Sequence, residues 1–221
     1  MATLAELEVE FRLNTRDMVV PYKCRTIEFN MFLNQAVDEA CRRKSLIFDR
    51  ATTAVCEIDC IEDDQTKDLS PYITEVTYAS LTNVSSEEVT VLYNIDKVEL
   101  ERTNPNWREN KQLPTSYMIE DNVIVLDSIC DEAYTLKLEV YRTPIEKLKL
   151  GTDEPAINRV HHSHLLDWCY SSFYSLPQSD INNESKARAY ENNFSMYFGV
   201  SKMANLKRDT WANRSPHNKN W

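Results

Sequence analysis

Residues 160 to 167 hold the densest set of potential ligands and proton carriers in the chain: His161, His162, His164 and Asp167. On a helix, positions 161 and 164 share a face, and Asp167 extends that face by one turn. Such a set could hold a metal ion. It lacks, however, the glutamate and the i,i+4 histidine pair of HExxH, and no further ligand set is apparent in the sequence. The group therefore reads as surface or interface histidines, and a metal-dependent enzyme using His161 and His164 is only a remote alternative. Cys56 and Cys60 would share one face of a strand, with Cys130 able to approach from another. Zinc sites of that kind pair one cysteine knuckle with a second, which the sequence does not offer, so small buried residues in a sheet are the better reading. The acidic run Glu62, Asp63, Asp64 and Asp68 lacks the glycine and terminal glutamate of a calcium loop and reads as a solvated hairpin end.

Other chemistries fail on composition. Glycine occurs only at Gly151 and Gly199, so phosphate loops that need close backbone approach have no basis. GxGxxG, GxxxxGK[ST] and GxSxG are all missing, which removes the dinucleotide, P-loop and α/β-hydrolase signatures together. No catalytic, cofactor-binding or metal residue is assigned, and the expected role is structural. The net charge of −10 and pI near 5.0 disfavour general binding to nucleic acid, because phosphate contacts need surplus Lys and Arg.

The charge is uneven. Residues 186 to 221 hold Lys186, Arg188, Lys202, Lys207, Arg208, Arg214 and Lys219 against only Glu191 and Asp209. The last part, DTWANRSPHNKNW from Asp209 to Trp221, joins two tryptophans to cations in a stretch too polar for a core. Tryptophan and arginine anchor interfaces, so Trp211, Arg214, Lys219 and Trp221 are the candidate partner-binding residues of an extended arm. Six cysteines at 24, 41, 56, 60, 130 and 169 read as reduced and mostly buried. The opening MATLAELEVEF carries charges where a signal peptide needs an apolar run, and no stretch approaches a membrane span. Synthesis in the cytoplasm and no membrane contact are the expectation.

These features need elements to position them. Leu4, Leu7 and Phe11 suggest a short helix from Thr3 to about Leu13. Phe29, Phe32, Leu33, Ala36, Val37 and Ala40 repeat at three and four and predict a helix from Thr26 to Lys44, closed by Arg42, Arg43 and Lys44. Runs of Val, Ile, Thr and Tyr then predict strands at 53–60, 72–81, 89–93, 115–119, 122–127 and 134–143, with a short helix from Ile95 to Arg102 ending before Pro105. The helical period returns from Asn158 to about Pro177. A second helix is predicted from Glu184 to Arg208, with Gly199 inside it as a suspected close helix contact. Trp168, Phe173, Tyr190, Phe194 and Tyr197 are the expected packing residues of this antiparallel pair, which is also the expected subunit-packing element.

The expected fold is α+β: a helical bundle with a long C-terminal antiparallel helical hairpin and an inserted antiparallel β domain of five or six strands. Its parts would be an N-terminal helical part at 1–48, a β-rich insert at 49–150, the hairpin at 151–208 and the arm at 209–221.

Several local words strengthen a particular reading. They are Leu33-Asn34-Gln35-Ala36; Asn104-Pro105-Asn106-Trp107-Arg108 before Leu113-Pro114 and Tyr117; Val140-Tyr141-Arg142-Thr143-Pro144; and Asp153-Glu154-Pro155-Ala156-Ile157. Their order and spacing resemble the head-to-tail adaptor (connector) proteins of short-tailed bacteriophages over most of the chain. The chain departs from that pattern in lacking glycines before Pro114 and in the following hairpin turn. The resemblance implies a virion protein of the neck or tail with no enzyme activity, made in the bacterial cytoplasm. It also implies a homo-oligomeric, twelve-membered ring between the portal protein and the tail nozzle or tube, with only passive contact with DNA in the channel. In that setting some surplus carboxylates are expected to face the lumen, where weak repulsion helps DNA slide. Another phage component, such as a tail tube, nozzle or capsid-associated protein, is the alternative.

Overall fold

Six helices and eight strands follow the apolar periodicity among the described residues, 2–177 and 180–201 of the computed structural model. They divide into two units. One is built from the chain up to Leu46 and from Glu146 onward; the other is Ile47–Ile145.

In the helical unit, α1 (Leu4–Thr15) starts from a capping box. Thr3 Oγ1 accepts the Glu6 N–H, and the Glu6 carboxylate accepts the Thr3 N–H. Two otherwise unpaired donors are thereby satisfied. Helix α2 (Thr26–Lys44) ends at Ser45 in the left-handed region, with Arg42, Arg43 and Lys44 at the negative end of its dipole. A short 3₁₀ turn, Arg159–His161, leads into α5 (His162–Tyr174), and Asn183 caps α6 (Glu184–Phe198) by accepting the Lys186 N–H. Helix α5 packs on α1, α2 and α6. Phe11 sits at the centre, 5.0 Å from Phe29, 5.5 Å from Tyr170 and 5.5 Å edge-on from Phe173. Truncating so buried a ring would cost about 3–5 kcal/mol.

The second unit contains β1 (Ile47–Asp49), the one-turn α3 (Thr53–Cys56), β2 (Glu57–Cys60), β3 (Thr66–Asp68) and β4 (Ile73–Asn83). It continues with β5 (Val89–Asn94), α4 (Lys97–Thr103), β6 (Ser116–Glu120), β7 (Val123–Leu126) and β8 (Tyr134–Arg142). The sheet order is β1-β8-β4-β5-β6-β7-β3, and β2 also pairs with β8. Alternation along β8 sends Leu136, Leu138 and Val140 into the core, while Lys137 and Glu139 face the other way. Ala79, Leu81 and Leu92 join that core from β4 and β5. A smaller cluster of Leu100, Trp107, Met118 and Val125 lies apart from it.

The expected fold class is corrected. The protein is mixed α/β, dominated by one eight-stranded sheet, and is not a helical bundle with a long hairpin. Two short strands were hidden in sequence: Ile47–Asp49 and Thr66–Asp68 are too short to show a period, and the second lies in the acidic run read as a loop. Nor is the sheet wholly antiparallel, because β5 and β6 run parallel through α4. Helix α6 stops at Phe198 rather than continuing through the glycine. Gly199 takes φ +92 as the C-cap, and an added Cβ there would meet nothing within 4 Å. It is a helix stop, not a close contact. Residues 53–56 form a helical turn instead of strand, so Cys56 and Cys60 do not share a strand face.

Candidate interaction surfaces

The histidine group is used structurally. His161 Nδ1 lies 3.1 Å from the Tyr197 hydroxyl, and the His164 ring stacks on Tyr197 with centroids 3.5 Å apart. His162 is buried and its Nε2–H donates to the Ile157 carbonyl at 3.0 Å. Asp167 approaches His164 only at 3.9 Å. Burial, then the Lys44 ammonium, shifts His161 below the ordinary imidazole value. His161 and His164 thus flank Tyr197 while His162 turns to the Ile157 carbonyl, and no three-ligand group occurs among the described residues.

The other suspected ligands also have protein partners. Cys60 and Cys130 are buried and hydrogen-bonded to each other, a contact that together with burial pushes the Cys130 thiol up. Lys111 bridges Glu62 at 2.5 Å and Asp63 at 2.8 Å. Asp64 accepts the Ile61 N–H and pairs with Lys67. The carboxylates of the acidic run therefore organise the approach to β3.

Of the aromatic residues expected to pack subunits, Phe173 and Phe194 are buried inside the helical unit. Trp168, Tyr190 and Tyr197 are half-buried. Trp168 lies 5.1 Å from Phe194, and Arg43 sits over both rings. Tyr190 stacks on Tyr174 at 5.9 Å. The partner-binding residues Trp211, Arg214, Lys219 and Trp221 lie outside the described residues.

Two surfaces were not singled out in the sequence. The first is the connection between α1 and α2. Buried Asp17 accepts the backbone N–H groups of Lys23 and Cys24, both at 2.9 Å, and faces Arg12 at 3.4 Å. Arg12 in turn donates to the Cys24 carbonyl at 3.0 Å and lies over the Tyr22 ring at 3.6 Å. A carboxylate and a guanidinium, both shielded from water, thus close the two ends of the connection on each other. Its tip, Met18, Val19 and Val20, points into solvent, Val19 being 78% exposed. Apolar side chains on a pinned loop are pre-ordered for binding, because little freedom is left to lose. The legible signal was the apolar Met18-Val19-Val20 between two helices, where polar turn residues belong.

The second surface is the sheet face opposite the main core. Since Leu92 points inward, alternation puts Val89, Val91 and Tyr93 outward, and all three are exposed, Tyr93 by 70%. Val91 pairs with Ser80 and Val89 with Thr82, which places Tyr78 on the same face of β4. Glu139 lies opposite Tyr78 on β8, with Lys137 opposite Ser80, and Glu87 and Glu88 stand exposed in the turn before Val89. The edge strands are short and charged, as in Glu57 and Asp59 on β2 and Lys67 and Asp68 on β3. Such edges resist strand addition. The face, not the edge, is therefore what this sheet offers a partner.

A family model described as SU10 adaptor protein matches residues 2–219. No match was found among curated proteins. No helix among the described residues is long and apolar enough to cross a membrane.

Proposed function

The chain belongs to the SU10 adaptor protein family, and from that premise we propose that it is the head-to-tail adaptor of a bacteriophage virion. It forms a ring, twelve-membered as in the adaptors it resembles, between the portal protein and the tail nozzle or tube, and continues the DNA channel. The observation that carries this is the family match over nearly the whole chain. The structure supports a binding role in two ways. Its histidines, thiols and acidic run are occupied in holding local structure. Its unusual features are instead displayed apolar surfaces.

Within this proposal the basic arm, with Trp211, Arg214, Lys219 and Trp221, docks on the portal. The half-buried Trp168, Tyr190 and Tyr197 contribute to subunit packing. The sheet unit holds 20 of the 35 acidic side chains against 8 of the 25 basic ones. Some of these carboxylates face the channel and repel DNA phosphate weakly; a ring with a neutral or basic lumen would contradict that assignment.

The test is to mix the purified full chain with portal rings and follow co-migration by sedimentation at several salt concentrations. Binding is expected, and weaker binding with an intact fold after removal of residues 209–221. No binding at any salt overturns the adaptor assignment, and unchanged binding without the arm overturns its role.

A further inference from the structure

We propose that the pinned loop carrying Met18, Val19 and Val20 docks onto the bare sheet face of Val89, Val91, Tyr93 and Tyr78 on a second copy of the chain. This deepens the ring reading and rests on it only for closure of the contacts into a ring.

Three observations point to this pairing. First, both surfaces are apolar, exposed and held by ordered backbone. The loop is fixed by the Asp17 carboxylate and Arg12, and the face by pairing of β5 on both sides. Desolvating two such surfaces against each other orders little that is not already ordered. Second, their rims carry opposite charge. Around the loop, Arg16 is exposed and makes no ion pair with a described residue, while Lys23 and Arg25 are balanced by Asp180 and Glu28, so the rim's surplus charge is that of Arg16. The one acid within 16–27, Asp17, is buried. Around the face stand Glu87, Glu88 and Glu139, with Lys137 the opposing cation. An apolar centre with complementary charged rims is the usual anatomy of a specific protein contact. Third, loop and face are different patches, and the proposed contact joins them head-to-tail rather than reciprocally. Each copy can offer its loop to one neighbour and its face to another, which is the arrangement that generates a ring when the rotation closes.

The decisive experiment uses the full chain and two variants, Val19→Glu and Tyr93→Glu. Both positions are exposed, so the fold is retained, as thermal melting will verify. By analytical ultracentrifugation the natural chain is expected to form assemblies larger than dimers. Each variant alone should self-associate about 30-fold more weakly or worse, as for loss of an interface anchor. An equimolar mixture should give a complex of two chains and no larger species. In that mixture the intact loop of Tyr93→Glu meets the intact face of Val19→Glu, and no further copy can be added.

Three results would each overturn the pairing. They are a natural chain that stays monomeric at hundreds of micromolar, either variant assembling like the natural chain, and a mixture that yields no two-chain complex. Portal binding, read separately, distinguishes these from failure of the adaptor assignment: the two-chain complex can form whether or not the portal is bound.

Discussion

The two units use the same device for opposite ends. In each, a buried aspartate accepts two backbone N–H groups and faces an arginine. Asp17 takes those of Lys23 and Cys24 and faces Arg12; Asp49 takes those of Ala51 and Thr52, at 3.0 and 3.1 Å, and pairs with Arg142 at 2.5 Å. The chain takes a different course beyond each carboxylate. After Asp49 it turns inward, and α3 delivers Val55 and Cys56 to the sheet core. After Asp17 it turns outward and displays Met18, Val19 and Val20. One carboxylate closes a core and the other presents a surface. The polar chemistry does not distinguish them; the burial of the neighbouring apolar residues does.

The contrast is broken most severely at Asp17. Replacing it with alanine leaves Arg12 without one of its two carboxylate partners and two N–H groups unsatisfied, an expected loss of about 3–5 kcal/mol in a denaturant melt. Hydrogen exchange should quicken at Lys23 and Cys24 first. A loss below about 1 kcal/mol would mean that the loop is not pinned by this group. Asp49→Asn should cost somewhat less, about 2–3 kcal/mol, with faster exchange at Ala51 and Thr52 and little change in the helical unit.

Acid sharpens the same contrast. Burial alone would raise the Asp49 pKa, but hydrogen bonds from Thr52, Ala51 and Arg142 outweigh it and hold the group well below the usual carboxylate range. Because its folded value is depressed, its contribution is fully present above the unfolded value of about 3.9 and is lost as pH falls toward the folded one. Stabilities of the natural chain and Asp49→Asn should therefore converge as pH drops from 5 towards 2; a gap that stays constant would refute the assignment. Of the backbone positions, Gly199→Ala should cost about 1–3 kcal/mol. The cause would be the positive φ alone, since no neighbour would meet the new Cβ. Smallest of all in stability, Val19→Glu at the displayed tip should change the melt by no more than about 0.5 kcal/mol while weakening self-association about 30-fold or more.

Legibility in the sequence depended on what each residue could reveal alone. The repeat of Phe29, Phe32, Leu33, Ala36, Val37 and Ala40 gives α2 its full extent, because one buried stripe determines both period and ends. Alternation around Leu136, Leu138 and Val140 likewise reveals β8. The sheet's size was not legible, since Ile47–Asp49 and Thr66–Asp68 are defined by partners far along the chain, Tyr141 and Ile124 among them. The same holds for the two surfaces. Apolar letters in strand β5 look alike whether they face the core or solvent, and only pairing with β4 shows that Val89, Val91 and Tyr93 are uncovered. The histidines left metal open as a remote alternative because spacing on a helix face was visible and Tyr197, which His161 and His164 flank, was distant in sequence.

The most direct test is hydrogen exchange of the free chain and of its assembly, read peptide by peptide. New protection is expected at residues 18–22 and 89–93 on assembly, with residues 49–56 unchanged, because one aspartate-held turn presents a surface and the other does not. Protection at 49–56 with none at 18–22 would contradict that division of roles.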